Sequence, residues 1–323
     1  MKVLITGGAG YIGSHLVNEL LSLGADCVVL DNLSRGLEKR LNSKVEFAKI
    51  DLCDVAKLNK FMRGNAFDTI FHLAGYMQAR ESSRIPNEYW ENNLVATQNL
   101  LHSLRDPNYT KFIFSSSCSV YGNNSLAIES SELNPLSVYA LTKVEAEVEI
   151  LRKYKSAKEN VTLFRFFNVV GCSPLPYFCD IQQETLLPSA ARLLLQGHSP
   201  VIYGNDFQTS DGFAVRDFID VRDLVRALIL PLNSELFGVH NLSSGHSRSI
   251  YSVVQQLIDS SKLHGVRIKI ANRNSEDPSF IQSKVSTKLL GLNWEPKHQL
   301  KDSIDNFWSV FSTYFVQEDT QNR

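Results

Sequence analysis

Short apolar runs alternate with amphipathic stretches through the first half of the chain. Residues 2–7, KVLITG, read as a buried strand. Residues 11–24, YIGSHLVNELLSLG, place Ile12, Leu16, Leu20 and Leu23 at helical spacing, and Gly24 is a stop signal. Further strands are predicted at 26–32 (DCVVLDN), within 45–54 (VEFAKIDLCD), and at 68–75 (DTIFHLAG), 111–117 (KFIFSSS) and 160–168 (NVTLFRFFN). Helices are predicted over 87–104 and over 137–150. Strands that alternate with helices form a parallel sheet covered on both faces. Right-handed crossovers between them give a doubly wound α/β fold.

After residue 171 the pattern changes. CSPLPYFCDIQQ (172–183) is irregular and contains proline. Helical patterns at 185–197 and 249–261 then mix with short strand patterns at 200–204 and 266–270. This predicts a first domain over 1–170 and a smaller α/β lobe over 171–323. A segment near 213–240 is able to return to the first domain. No internal repeat is present.

Composition narrows the functional classes. The chain has 323 residues, 43% hydrophobic and 21% charged, which is enough for two domains with sizeable cores. The formal net charge of -1 leaves no basic excess for a polyanion, so no nucleic-acid partner is expected. The apolar run in MKVLITGG is too short for a signal peptide, and no stretch approaches the ~20 apolar residues of a membrane span. The cysteines at 27, 53, 118, 172 and 179 are odd in number and never in CxxC spacing. They point to reduced thiols and a cytoplasmic location. The histidines form no HxxxH or HExxH pair, so no metal site is expected.

The strongest local signal is TGGAGYIG (6–13), where Gly8, Gly10 and Gly13 fit GxGxxG and Gly7, Gly10 and Gly13 fit GxxGxxG. It follows the first strand and opens the first helix. That is the context in which backbone amides and a helix N-terminus hold a pyrophosphate. Asp31 closes the second strand, where a carboxylate bonds the adenosine ribose and repels a 2′-phosphate. NAD is therefore expected rather than NADP, although Arg35 nearby keeps NADP open. Asp51 and Asp54 either meet the adenine edge or cap the next helix.

Tyr139 stands four residues before Lys143, which puts both on one helix face. By itself that pair fits a surface helix as well as a catalytic one. The wider set of motifs decides between them. TGGAGYIG, DNLS, DLCD, FHLAG, Asn92-Asn93, SSSCSVYG, YALTK, RFFNVVG and NDFQTSDGFAVRDFIDVRDL occur in this order. On these motifs the chain resembles the extended short-chain dehydrogenases/reductases, in the NAD-dependent epimerase/dehydratase family, and most of all the UDP-glucose 4-epimerases. The resemblance covers roughly residues 1–310.

The resemblance implies a Rossmann-like NAD domain, a nucleotide-sugar lobe and a homodimer. It implies a catalytic set of Ser117, Tyr139 and Lys143. A free tyrosine, with a pKa of ~10, is a poor base, and a neighbouring ammonium stabilises its phenolate. It implies that NAD is lined by Gly7, Gly10, Tyr11, Ile12, Gly13, Asp31, Asn32, Asp51, Leu52, Leu73, Ala74, Asn93, Ser115 and Phe166, together with Tyr139 and Lys143. It implies that a UDP-sugar meets Ser117, Asn168, Arg216 and Asp277. A strand-end cap for Asn168 and an ion pair with Asp217 for Arg216 are the structural alternatives.

The dimer is expected to use the helices over 88–104 and 138–153 through Leu94, Leu101, Val144, Val148 and Leu151. Two departures concern the sugar contacts: Glu184-Thr185 replaces an expected Asn-Asn, and Asn274 stands where an arginine is usual, with Arg273 beside it. SSSCSVYG carries no carboxylate, which favours simple epimerisation over dehydration. Cys118 is expected to be a buried structural thiol facing away from Ser117 if the strand continues. Another nucleotide-sugar reaction of the same superfamily, a dehydration or a reduction, and a silent NAD-binding scaffold stay open.

Overall fold

The computed structural model describes residues 1–173, 179, 185–273 and 277–321, with side chains of the last helix up to 315. Contacts divide the chain into two compact units: Met1–Val120 with Glu132–Phe166 and Val225–Asn241, and Tyr121–Ser131 with Phe167–Leu224 and Leu242–Arg323.

The first unit is built on a seven-stranded sheet. Its order is Gly238–Leu242, Val161–Phe166, Lys111–Ser117, Thr69–His72, Lys2–Thr6, Asp26–Asp31, Glu46–Lys49. From Val161–Phe166 onward every neighbouring pair is parallel. The strands are nearly all apolar because both faces are covered. Leu4, Val28, Ile70, Phe112 and Phe114 of the sheet pack against Leu100 and Leu101 of the Ala96–Ser103 helix and Ala146 and Ile150 of the Val138–Lys153 helix. Each fully buried side chain of this size contributes ~1.5–3 kcal/mol. The sequence direction of the sheet reverses on either side of Lys2–Thr6, so the carboxyl ends of that strand and its neighbours form a switch point, where such sheets bind ligands.

The helix expected over 87–104 is three consecutive pieces. Pro86–Tyr89 and Ala96–Ser103 are α-helical, and Trp90–Val95 between them is a π-turn carrying Asn92 and Asn93. The apolar stripe is also divided differently from the expectation. Leu101 lies in the core and Leu94 packs against it. Leu141, Val148 and Leu151 of the Val138–Lys153 helix, with Val95, are the exposed apolar side chains.

The second unit centres on Val215–Asp220. That strand pairs with Ser247–Ser249 in antiparallel fashion and with Asn168–Val170 and Phe280–Ser283 in parallel. Phe280–Ser283 in turn pairs with Asn124–Ala127. Leu187, Leu194, Val254, Leu257, Ile304, Phe307 and Phe311 form its core, from the helices Leu186–Leu195, Ile250–Ser261 and Leu300–Gln321. The segment 215–232 starts in this unit and passes into the first one within the Val221–Leu228 helix. No helix of the described residues is long and apolar enough to cross a membrane.

Candidate active site

The glycine turn is packed so tightly that only glycine fits it. Gly7 has φ +73°, and a Cβ there would lie 2.6 Å from Ala74 N. A Cβ on Gly13 would lie 2.2 Å from Gly7 O. Gly10 caps the Tyr11–Ser22 helix without any side-chain bond, and the first turn holds no acidic residue. The amides and positive end of its first turn suit an anion.

Asp31 is buried at the end of the next strand. Its Oδ2 accepts from Ala9 N at 3.1 Å and its Oδ1 from Leu33 N at 2.8 Å. Burial raises its pKa, while those two amides and Arg40 oppose the rise. Arg35 donates to Glu81 at 2.6 Å and lies 4.0 Å from the centre of the Tyr76 ring. Asn32 donates to Asp51 at 2.8 Å, whereas Asp54 accepts from Lys57 N and caps the Val55–Gly64 helix. Asp54 thus takes the capping role, while Asp51 accepts from Asn32 and from Cys53 N at 2.8 Å.

The chemistry-bearing side chains gather at the carboxyl end of Lys111–Ser117. Ser119 donates to Ser117 Oγ at 2.9 Å, and Ser117 lies beside the Tyr139 phenol. Burial pushes the Tyr139 pKa up to about 12, the Ser117 hydroxyl pulls it down, and Cys118 nearby raises it. One turn on, Lys143 is buried and donates to Ser115 O at 2.8 Å. Burial brings its pKa down to about 8, against an opposing pull from Glu147. The strand ends at Ser117, and Cys118–Tyr121 is a 3-10 turn. Cys118 is buried, as expected, but it sits close to Tyr139 instead of on the far side of a continuing strand.

A second layer fixes this group. Asn93 accepts from Tyr76 N at 2.7 Å and donates to Tyr76 O at 3.0 Å and to Thr142 Oγ1 at 3.1 Å. The π-turn thereby ties the loop after Thr69–His72 to the tyrosine helix. His72 is wholly buried between Thr6 Oγ1 at 2.7 Å and Thr97 Oγ1 at 2.8 Å. Thr97 gives its proton to Asn93 O at 2.6 Å, so His72 Nε2 must be the donor to Thr97 and Nδ1 the acceptor from Thr6. Burial, and then Lys143, bring the His72 pKa down to about 3, so the ring is neutral.

Sequence reasoning missed His72, Thr6 and Thr97, and it missed Glu147. The one available signal was that Glu147 continues the 139–143 stripe by another turn.

Leu73, Ala74, Asn93, Ser115 and Phe166 all belong to the first unit, with the glycine turn, Asp31 and the catalytic set. Asn168, Arg216 and Asp277 belong to the second. There Asn168 Nδ2 donates to Asp217 O at 3.0 Å, and Arg216 donates to Val215 O and Pro278 O, each at 2.8 Å. Glu184 and Asn274 lie outside the described residues. Thr185 precedes the Leu186–Leu195 helix without capping it through its side chain.

The model of the NAD dependent epimerase/dehydratase family matches residues 3–242. The chain belongs to this family. The UDP-glucose 4-epimerase of Lactobacillus helveticus is 35% identical over 315 residues, covering 94% of each chain. Among solved structures, UDP-glucose-4-epimerase from Stenotrophomonas maltophila, with bound NAD and formylated UDP-arabinopyranose, superposes with a TM-score of 0.89 at 26% identity, over 98% of this chain and 99% of that one. UDP-N-acetylglucosamine 4-epimerase from Methanobrevibacter ruminantium, in complex with UDP-N-acetylmuramic acid, superposes with a TM-score of 0.84 at 29% identity, over 98% of both. The epimerase/dehydratase family is NAD-dependent, and the residues here suit that cofactor. The turn that carries the helix N-terminus is one that only glycine can make at Gly7 and Gly13, which suits the close approach of a pyrophosphate, and the buried Asp31 offers the carboxylate that suits a ribose hydroxyl.

Proposed function

We propose that the chain is an NAD-dependent epimerase that inverts C4 of a UDP-sugar through a transient 4-keto intermediate. The observation that carries this reading is the grouping of Ser117, bonded by Ser119, beside the buried Tyr139 phenol, with the Lys143 ammonium one turn on and held by Ser115 O, two strands away from the glycine turn. The amides of Gly7 to Gly13 with Tyr11 and Ile12, then Asp31, Asn32, Asp51 and Leu52, and then Leu73, Ala74, Asn93, Ser115, Phe166, Tyr139 and Lys143 are assigned to NAD. When bound, NAD supplies the hydride acceptor and donor and a positive ring that favours the phenolate.

Tyr139 takes the proton of the C4 hydroxyl, and Ser117 holds the same hydroxyl and relays that proton. Lys143 stabilises the phenolate by its charge. The keto sugar turns about its diphosphate link, and Tyr139 returns the proton on the other face. Asn168, Arg216 and Asp277 are assigned to the nucleotide-diphosphate, where the planar fork of arginine suits an anion.

Exposed Val95, Leu141, Val148 and Leu151 support a homodimer through the 138–153 helix, and light scattering at micromolar concentration checks its mass. All five cysteines are free thiols, which supports a reducing, cytoplasmic setting. The function is tested by identifying the nucleotide released on gentle denaturation and by turnover on a panel of UDP-hexoses, UDP-hexuronates and UDP-N-acetylhexosamines. Inversion of one of them supports the reading, and inversion of none of them at wild-type NAD occupancy removes it.

A further inference from the structure

Tyr139, Lys143 and Glu147 follow one another at successive turns of the Val138–Lys153 helix, on the side facing the sheet. The third member is a carboxylate, only 3% exposed, and it is fully occupied. Arg165 binds it with two parallel bonds, Nε to Oε1 at 2.9 Å and Nη2 to Oε2 at 2.6 Å. Ser116 donates a further short bond to Oε1. Ser116 and Arg165 are register partners on adjacent strands, so the sheet itself sets the place of Glu147. On either side of Ser116, Ser115 O accepts from Lys143 Nζ at 2.8 Å and Ser117 lies beside the Tyr139 phenol. Three consecutive residues of one strand thus meet three consecutive turns of one helix.

A buried ion pair gains little stability over an apolar pair of the same shape, so its presence beneath a catalytic lysine calls for another reason. We propose that Glu147, clamped by Arg165 and Ser116, is a positioning residue that keeps the buried Lys143 charged and aimed at the strand end where Tyr139 acts. Among the described residues, the charged and titratable groups around Lys143 are Glu147 one turn on and Tyr139 one turn before it on the same helix, His72 on the Thr69–His72 strand, and Arg165 bonded to Glu147. His72 is neutral, and of these groups Glu147 is the one whose charge raises the Lys143 pKa against the cost of burying the ammonium.

The proposal rests on the epimerase reading for its kinetic consequence only. In Glu147→Gln the acid limb of kcat/KM is expected to rise, because Tyr139 loses part of the ammonium charge that favours its phenolate. The alkaline limb is expected about one pH unit below wild type, a loss of roughly tenfold at a fixed pH above it. In Arg165→Met, Glu147 acts on Lys143 unopposed, and the limb is expected to move up. A merely structural role would lower activity at every pH and leave both limbs where they are. That result, or limbs shifted in the same direction, overturns the proposal.

Should a single variant fail to fold, the double variant Glu147→Gln/Arg165→Met removes both buried charges together and still places the limb below wild type. An unmoved limb in the double variant counts against the proposal equally. A second readout does not need turnover: tyrosinate absorbance of the NAD-bound protein against pH, taken as the difference from the same protein carrying Tyr139→Phe. Its onset is expected at higher pH in Glu147→Gln than in wild type. An unshifted onset rejects the proposal, and a shifted onset in a protein that turns over no UDP-sugar supports it while rejecting the substrate assignment.

Discussion

The guanidinium of Arg35 is held by Glu81 at 2.6 Å and lies over the Tyr76 ring, 4.0 Å from its centre. From sequence, Arg35 was the one residue that could have welcomed a 2′-phosphate. Here its charge is met by a carboxylate from the short Ala79–Ser82 helix, while both oxygens of Asp31 are fixed by backbone amides.

We therefore expect the purified protein to release NAD and no NADP. Asp31→Ser removes the charge that repels a 2′-phosphate, and it should narrow the preference for NAD by ~10-fold or more, a shift of about 1.4 kcal/mol. Dissociation constants for both dinucleotides measure it. Uptake of NADP alone by the wild-type protein would overturn the role of Asp31.

The phenol of Tyr139, pushed up to about 12, is no base at neutral pH until further positive charge reaches it. Tyr139→Phe should lower kcat by ~10² or more while UDP-sugar binding persists, which is the scale for a lost general base. Steady-state kinetics beside a binding titration separate the two effects. Wild-type turnover in this variant would return Tyr139 to a packing role.

His72 makes an acid-stability signature. Its folded pKa, at about 3, lies below the 6.5 of the unfolded ring, so the unfolded chain takes up a proton that the folded chain refuses. The resulting contribution is fully present above pH 6.5 and is lost as pH falls toward 3, up to ~4–5 kcal/mol in all. His72→Gln should be less stable than wild type near neutrality, yet lose less stability between about pH 7 and about pH 4.5, as read from urea unfolding. Parallel losses in the two proteins would show that another group carries the acid dependence.

The strand end from Ser115 to Ser119 reads Ser-Ser-Ser-Cys-Ser, with no acid–base pair to move a C5 proton. Turnover in heavy water should yield a C4-inverted sugar with no deuterium on carbon. Deuterium at C5 or C6, with loss of water from the sugar, would make the reaction a dehydration, and mass spectrometry of the product distinguishes the two.

Local periodicity was enough to mark every strand of the large sheet except the edge strand Gly238–Leu242, and local sequence also marked the glycine turn and the spacing of Tyr139 and Lys143. In each case the signal lies within one strand, one turn or one helix face, where neighbours in sequence are neighbours in space. Other features depend on groups far apart in the chain. Glu147 meets Arg165 across 18 residues, His72 sits between Thr6 and Thr97, and Arg35 meets Glu81 across 46. The same holds for Leu101, whose helical stripe could equally have faced outward until the sheet covered it. The pKa values of Tyr139, Lys143 and His72 were likewise beyond the sequence, because burial is their first cause and burial exists only once the sheet and its helices have closed over these side chains.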